Sequence, residues 1–259
     1  MFITHDGAQL FTVSFGTAPR TLVAHGGWTG SWELWTLPFG PLSASWRTVA
    51  YDHRGTGTTV APAGSISLDA LVADLFAVLD AFNIERCVLA AESAGAVVAL
   101  TAALQAPQRF SGLVLVDGLY YQPAPAGEHP FVTALKANYP AAIAQFVDNC
   151  VTPSTGEAVR RWGRQILERA PQDSAIRLFE VMLGIDLRAQ LPQIQLPVLV
   201  IHGEHDRLLP LDAARWLVGQ LPNARLHVVS GAGHVPTVTH PDEVAAAIDS
   251  FFAASVPPG

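Results

Sequence analysis

Short apolar, β-branched runs alternate along the chain with longer segments in which apolar residues recur at helical spacing. This alternation predicts eight strands, at residues 2–4, 10–15, 22–25, 48–51, 87–91, 113–116, 198–202 and 226–229. The later runs are apolar throughout, which is typical of strands that are buried on both faces of a sheet. Asp6-Gly7, between the first two runs, predicts a tight hairpin.

Helical patterns lie between most of the predicted strands. They cover residues 67–82, 93 to just before Pro107, 211–221 and 241 to about Ala254, and Ser67 is in the position of an N-cap. An antiparallel start followed by strand–helix alternation indicates an α/β fold. We therefore expect a mostly parallel sheet with helices on both faces.

The alternation is interrupted once, between residues 119 and 196. This segment is rich in aromatic residues and contains helical patterns at 131–150, 157–170 and 174–187, but no buried strand. We expect it to form a helical cap, called the cap segment below, over the ends of the strands. The predicted organisation is a core domain of residues 1–118 and 197–259 with a helical cap of residues 119–196 inserted into it.

Composition narrows the class of protein. The chain has 259 residues, of which 50% are hydrophobic and 14% charged, and its formal net charge is −7. These values predict one soluble domain with a large core, and its low charge favours a homodimer. Without blocks of like charge, neither nucleic acid nor a membrane surface is an expected partner. With two cysteines and no visible signal peptide, we expect a cytoplasmic protein whose partner is a small-molecule substrate.

A candidate nucleophile follows the fifth predicted strand. Ala91-Glu92-Ser93-Ala94-Gly95 places a serine between a strand and a helix, with small residues two positions before and after it. This is the arrangement of a nucleophile elbow, in which the serine adopts a strained conformation that leaves no room for bulky neighbours. The N-terminus of the following helix favours negative charge near the serine.

A serine hydroxyl needs a base, and the base needs an acid to orient it. His234 is the candidate base, because it lies in a glycine-rich loop after the last strand, at the edge where open α/β sheets build their sites. Asp206 is the candidate acid, after the seventh strand. The chain order Ser93, Asp206, His234 is the order of nucleophile, acid and base in hydrolases whose serine lies in such an elbow. Asp117, at the end of the sixth strand, is the alternative acid.

The developing oxyanion needs backbone N–H donors. Ala94 supplies one, and the loop His25-Gly26-Gly27-Trp28 supplies the other from Gly27 or Trp28, since glycine lets the backbone approach a substrate closely. His202-Gly-Glu-His205-Asp206 does not have the helical spacing of a zinc motif. We therefore expect neither a metal nor another cofactor.

Taken together, these motifs resemble the α/β-hydrolase superfamily from Phe2 to Phe252. They are His25-Gly-Gly-Trp28, Asp52-His-Arg-Gly-Thr-Gly57, the elbow, Gly203-Glu-His-Asp206 and Gly231-Ala-Gly-His234. The resemblance implies an α/β-hydrolase fold, with an eight-stranded mostly parallel sheet and a helical cap after strand six. It also implies Ser93 as nucleophile, Asp206 as acid, His234 as base, and Gly27 or Trp28 with Ala94 as oxyanion donors. Ala91 replaces the usual glycine, and the orientation of Glu92 is left open.

A serine nucleophile favours hydrolysis of a carboxylic ester or lactone through an acyl-enzyme. Carbon–carbon bond hydrolysis, cofactor-free oxygenase or perhydrolase chemistry, and non-catalytic ligand binding remain alternatives on the same fold. Aromatic residues are expected to form an apolar pocket for a small to medium substrate, or else to join the cap to the core. The residues in question are Trp28, Tyr120, Tyr121, Phe146 and Phe179.

Overall fold

The computed structural model describes residues 1–253, and residues 254–259 lie outside it. The strands are β1 (Phe2–His5), β2 (Ala8–Phe15), β3 (Thr21–His25), β4 (Arg47–Tyr51), β5 (Cys87–Glu92), β6 (Phe110–Val116), β7 (Val198–Gly203) and β8 (Ala224–Val229). All eight predicted strands are present, and the structural strands extend the predicted runs by up to three residues at an end.

Ten α-helices surround the sheet. They are α1 (Thr36–Leu42), α2 (Leu68–Ala81), α3 (Gly95–Gln105), α4 (Pro130–Ala137), α5 (Tyr139–Cys150), α6 (Glu157–Leu167), α7 (Gln172–Met182), α8 (Leu211–Gln220), α9 (Pro236–Thr239) and α10 (Pro241–Ala253) within the described residues. Ser67 caps α2, since its hydroxyl accepts a hydrogen bond from the Ala70 amide. The end predicted for α10, near Ala254, lies outside the described residues.

The strands form one sheet in the order β1-β2-β4-β3-β5-β6-β7-β8. β1 pairs antiparallel with β2 through a turn in which Asp6 and Gly7 both have positive φ, and β2 pairs antiparallel with β4. All pairs from β4 to β8 are parallel. The predicted fold class, an eight-stranded and mostly parallel sheet flanked by helices, is therefore confirmed.

Parallel pairing determines where chemistry can occur. The carboxyl ends of β3, β5, β6 and β7 lie side by side, and the loops that follow them carry Gly27, Ser93, Asp117 and Asp206. In open α/β sheets, ligands bind in the crevice outside these ends. The fold thus gathers residues from distant parts of the chain at one edge of the sheet.

The two ends of the cap segment pair with each other beside the core. This pairing of residues 120–122 with residues 184–187 is called the neck below. Tyr121 forms an isolated antiparallel bridge with Asp186, and the Leu187 amide donates to the Tyr120 carbonyl at 3.0 Å. Helices α4 to α7 lie between these two chain crossings. The division into core and cap domains stays a prediction, although all the helices of the insertion fall inside the predicted range.

Two details of the cap segment differ from the sequence prediction. The single helix predicted at 131–150 is two helices, because Asn138 has extended backbone, caps α5 by accepting from the Ala141 amide, and precedes Pro140 in the first turn. The last helix begins at Gln172 and ends at Met182, earlier than predicted, since the chain returns to the neck at Gly184, which has positive φ. No helix among residues 1–253 is long and apolar enough to cross a membrane.

Candidate active site

The turn between β5 and α3 holds Ser93 in a conformation that few residues adopt. Ser93 has φ of +51°, and its amide donates to the carbonyl of Val116 at 2.9 Å, so the turn is fastened to β6. A Cβ at Gly95 would collide with the carbonyl oxygen of Gly26. The strained serine and the small residue after it are the features of the predicted elbow, and Ala91 fits at the end of the buried strand.

His234 reaches Ser93 from the loop after β8. Its Nε2 lies 2.8 Å from Oγ of Ser93. The loop is fixed from outside, because the His234 amide donates to the carbonyl of Cys150 at 2.7 Å, and a Cβ at Gly233 would lie only 2.5 Å from that same oxygen. The glycine before the histidine is therefore required by the close approach of α5.

Asp206 completes a line of three side chains. Its Oδ2 lies 2.7 Å from Nδ1 of His234, while its Oδ1 accepts from the amides of Leu208 and Leu209. Burial alone would raise the pKa of Asp206, but the hydrogen bond and charge of His234 together with the two amides hold it below its ordinary value. Asp206 is therefore ionised at neutral pH and oriented on both of its oxygens.

Asp117, the alternative acid, is close to the same histidine but bonded elsewhere. Its Oδ1 accepts from the amide of Gly203 at 2.9 Å and lies 3.3 Å from Nδ1 of His202, while its Oδ2 is buried without a hydrogen-bond partner among residues 1–253. Burial raises the pKa of Asp117 well above its ordinary value. Because its hydrogen bond goes to the amide of Gly203, Asp117 does not orient the ring of His234, whereas Asp206 does.

Electrostatics make His234 basic. Burial lowers the pKa of His234, but the hydrogen bond from its ring to Asp206 and the negative charges of Asp206, Asp117 and Glu92 outweigh it, and the pKa is raised to about 8. With Nδ1 donating to Asp206, the neutral ring presents a lone pair at Nε2 to the hydroxyl of Ser93. The arrangement can remove the hydroxyl proton as Ser93 attacks an electrophilic carbon.

The predicted oxyanion donors border the same space. Within the described chain, the amides of Gly27, Trp28 and Ala94 donate no hydrogen bond to another residue. A Cβ at Gly27 would lie 3.2 Å from Cβ of Ser93, so glycine allows this backbone to approach the nucleophile. Both the Gly27–Trp28 loop and the start of α3 thus offer unused N–H groups beside Ser93.

The buried histidine of the Asp52–Gly57 motif supports this loop. Nε2 of His53 donates to the carbonyl of Gly27 at 2.9 Å, and burial lowers the pKa of His53. Asp52 accepts from the amides of Trp32 and Thr58, and a side chain at Gly57 would collide with its carboxylate. The motif therefore supports the loop that contains Gly27 and Trp28.

Two cavities meet at Ser93 and His234. The first, with about 620 Å³ of empty space including the part open to solvent, is lined by Gly27, Thr29, Glu92 and a set of apolar side chains. These apolar residues include Leu34, Phe146, Val147, Val159, Trp162 and Val238. The second, with about 1140 Å³ of empty space including the part open to solvent, is lined by Ala94, Leu119, Phe131, Phe179 and Met182, with polar groups at Gln122, His129, Gln145 and Asn149. A substrate held at Ser93 has one nearly apolar and one mixed chamber available.

Trp28 and Phe146 line both cavities and also join cap to core. The ring centroid of Trp28 lies 5.0 Å from Phe131, 5.0 Å from Phe146 and 6.3 Å from Phe179, and its indole N–H donates to the carbonyl of Ala175 at 2.8 Å. At these positions the aromatic residues therefore both line the pocket and join the cap to the core.

Tyr120 and Tyr121, also expected in the pocket, line neither cavity. Tyr120 stacks on Trp216 and donates its hydroxyl to the carbonyl of Ala213, while Tyr121 is 37% exposed beneath the guanidinium of Arg188. The reason is their place in the neck, where the backbone pairs with residues 185–187. The structure therefore places neither tyrosine in the lining of these two cavities, contrary to the sequence prediction.

Sequence reasoning missed Phe131, Leu34 and Trp162 as lining residues. Phe131 and Trp162 were visible as aromatics at helical spacing in the cap segment, but spacing alone does not tell which face of a helix turns toward the site. Leu34 lies in a short 3-10 helix, where no periodicity could develop.

One group within residues 1–253 has the ligand types of a metal site. Ligand atoms of Asp117, Asp206 and His234 lie within 4.8 Å of one another. Both ring nitrogens of His234 are already engaged, one by Asp206 and one by Ser93. In this arrangement the Nε2 lone pair of His234 accepts from the hydroxyl of Ser93, and Nδ1 donates to Asp206.

Comparison with known proteins places the chain among hydrolases. Residues 22–247 match the model of the alpha/beta hydrolase family. A putative carbamate hydrolase, RutD, from Caulobacter sp. (strain K31) is 30% identical over 243 residues, 90% of each chain. A pimeloyl-[acyl-carrier protein] methyl ester esterase from Nitrosomonas europaea is 29% identical over 257 residues, 94% of this chain and 100% of the other. The structure of an enol-lactonase from Burkholderia xenovorans LB400 superposes with a TM-score of 0.90 at 22% identity, covering 98% of this chain and 100% of the other.

Proposed function

Since the chain belongs to the alpha/beta hydrolase family, we propose that it hydrolyses carboxylic esters or lactones through Ser93, His234 and Asp206. The observation that carries the proposal is the unbroken line of hydrogen bonds from Oγ of Ser93 through His234 to Asp206, at 2.8 Å and 2.7 Å. Relatives named as a methyl ester esterase and as a carbamate hydrolase support cleavage of a carboxylic acid derivative.

In the first half of the reaction, Oγ of Ser93 attacks the substrate carbonyl carbon while Nε2 of His234 takes the hydroxyl proton. The tetrahedral oxyanion accepts hydrogen bonds from the amides of Ala94 and of Gly27 or Trp28. As the intermediate collapses, His234 returns the proton to the leaving oxygen, so an alcohol departs and an acyl-enzyme remains. In a lactone the leaving hydroxyl stays on the acyl group.

In the second half, a water molecule gives its proton to His234 and attacks the acyl carbon. The second oxyanion collapses, the carboxylic acid departs, and Ser93 recovers its proton from His234. Asp206 stays ionised throughout and stabilises the imidazolium at each step. The two cavities at Ser93 suit a small to medium substrate whose acyl and alcohol parts occupy different chambers, at least one of them apolar.

Carbamate cleavage is a second candidate, favoured by the 30% identity to the relative named RutD. The same attack on a carbamate ester would expel the alcohol or phenol and leave a carbamoyl-enzyme, whereas cleavage of the carbon–nitrogen bond would have to expel an amine. An amine is a poorer leaving group, so His234 must donate its proton before the bond to nitrogen breaks.

A substrate panel tests the proposal. Purified protein would be assayed with p-nitrophenyl esters of graded acyl length, a set of lactones and a set of aryl carbamates. We expect turnover of medium-chain esters or lactones, and its loss in Ser93→Ala. Ser230→Ala, at an exposed loop serine, is the matched control and should retain activity.

Other outcomes overturn the proposal. Turnover of carbamates alone would replace ester or lactone hydrolysis with carbamate cleavage as the function. Turnover of carbon–carbon bonds, oxygenase or perhydrolase activity, or ligand binding without any turnover would replace it with the corresponding alternative on this fold.

A further inference from the structure

Glu92 is a buried carboxyl group that the reaction described above does not use. It is the last residue of β5, directly before Ser93, and is 1% exposed. Its Oε1 accepts from the hydroxyl of Thr237 at 2.7 Å, whereas its Oε2 is buried without a hydrogen-bond partner in the described part of the chain. A buried carboxyl group with a free oxygen is costly, so its position beside the nucleophile needs an explanation.

The hydrogen bond to Thr237 joins two segments that must stay in register. Thr237 is fully buried in α9, three residues after His234, and Glu92 is one residue before Ser93. The pair therefore fastens the segment of the base to the segment of the nucleophile at a second point, beside the contact between His234 and Ser93 themselves.

Several ionisable groups from other elements interact electrostatically with Glu92. They are His234 from the loop after β8, Asp117 from the end of β6 and the buried thiol of Cys150 at the end of α5. Asp206 acts on His234 and Asp117 in turn. Of these groups, only His234 becomes positively charged during hydrolysis.

We propose that Glu92 is a positioning residue for His234, holding its segment through Thr237 and stabilising the imidazolium that forms whenever Ser93 loses its proton. Asp206 acts on the Nδ1 side of the ring, and Glu92 provides a second negative charge from the strand that carries the nucleophile. This inference rests on the proposed hydrolysis at Ser93.

The acid–base properties of the site agree with this role. Burial raises the pKa of Glu92 to about 7, against the opposing effects of the Thr237 hydrogen bond and the charge of His234. Glu92 is one of the groups that raise the pKa of His234. Removing its charge should therefore allow His234 to lose its proton at lower pH and should make the imidazolium less stable in the transition state.

The test measures kcat and KM for a p-nitrophenyl ester from about pH 5 to about pH 9.5. The variants are Glu92→Gln, Thr237→Val and Thr237→Ser. Glu204→Gln is the matched control, since Glu204 also binds the loop before His234, through Ser230 and Gly231, but is exposed. Circular dichroism and thermal melting would verify that each variant folds.

We expect Glu92→Gln to lower kcat about 10-fold with KM changed less than about twofold, and to move the acid limb of the profile down by about half a pH unit or more. Thr237→Val should change both readouts in the same direction, because it removes the donor that favours the ionised carboxylate. Thr237→Ser keeps a hydroxyl and should restore both values. Glu204→Gln should match the wild type.

The inference fails if folded Glu92→Gln keeps the wild-type kcat and acid limb. It also fails if kcat falls while the acid limb stays in place, since that result indicates packing without an electrostatic effect. Failure of the proposed function gives a different result, in which the wild type hydrolyses no ester or Ser93→Ala remains active.

Discussion

Oδ2 of Asp206 lies 2.7 Å from Nδ1 of His234, and the remaining oxygen of Asp206 is held by two backbone amides. Asp117 reaches the same region from the neighbouring strand, but it accepts from the Gly203 amide instead and its pKa is raised by burial. The two carboxyl groups near this histidine therefore differ in the direction of their pKa shifts and in their hydrogen bonds, and this difference supports the acid role proposed for Asp206.

Replacing Asp206 and Asp117 separately should lower kcat by very different factors. Asp206→Asn removes the charge that stabilises the imidazolium and favours the wrong tautomer of His234, a change that costs about 10⁴-fold in kcat in a serine protease triad. Asp117→Asn keeps an oxygen that can still accept from Gly203 and leaves the contact between Asp206 and His234 intact, so we expect less than about a 10-fold loss. Steady-state kinetics on one ester decide between them, and the reverse ranking would transfer the acid role to Asp117.

The pH dependence of hydrolysis should follow the charge of His234. Its pKa is about 8, and only the neutral ring can accept the proton of Ser93. The value of kcat/KM should therefore level off above about pH 8 and fall as the pH drops below it, approaching tenfold per unit. Stopped or continuous assays in a constant-ionic-strength buffer series would measure this. A plateau that extends below about pH 6 would contradict the assigned environment of the base.

The aromatic residues shared by the two cavities should govern substrate preference. Phe146→Leu keeps an apolar side chain but enlarges both chambers, so the preferred acyl chain should become longer, with kcat/KM ratios between esters changing roughly 10-fold or more. Tyr121→Leu is the matched control, because Tyr121 belongs to the cap segment and lines neither cavity. Equal shifts in both variants would mean that the cap segment acts through stability and not through contact.

Glu92 should reduce the stability of the folded protein at alkaline pH. Its pKa rises from 4.5 to about 7 on folding, so the unfolded chain ionises first and the free energy of unfolding decreases between these values. Below this range Glu92 is neutral in both the folded and the unfolded state. Above it, the folded state carries the full free-energy cost of the buried negative charge. Glu92→Gln should melt several degrees above the wild type at about pH 9, since about 1 kcal/mol moves Tm by roughly 2–4 °C. The Tm values of the two proteins should converge near pH 4.5. A difference in Tm that stays unchanged across this range would contradict a raised pKa of the buried Glu92.

The positions of the strands along the chain and the place of Ser93, Asp206 and His234 follow from local signals that the sequence contains. Apolar runs mark strands, and residues directly after parallel strands must meet at one edge of the sheet. For this reason three residues far apart in the chain could be predicted to converge. The close approach of Gly95 to Gly26 is likewise visible as a requirement for a small residue.

The lining of the cavities could not be predicted in the same way. Tyr120 and Tyr121 follow Asp117 directly in sequence, yet backbone pairing in the neck turns them away from the site. The hydrogen bond between Glu92 and Thr237 joins residues 145 positions apart and has no local signature. Such features depend on how the cap segment and the α9 segment pack, which periodicity does not encode.

Covalent labelling tests the assignment of the nucleophile most directly. The wild type, Ser93→Ala, His234→Ala and Ser230→Ala would each be treated with a serine-directed fluorophosphonate and analysed by intact mass and peptide mapping. We expect one adduct per chain on Ser93 in the wild type and Ser230→Ala, greatly slowed labelling in His234→Ala, and none in Ser93→Ala. An adduct on any other residue, or full labelling of the Ser93→Ala protein, would contradict hydrolysis through Ser93.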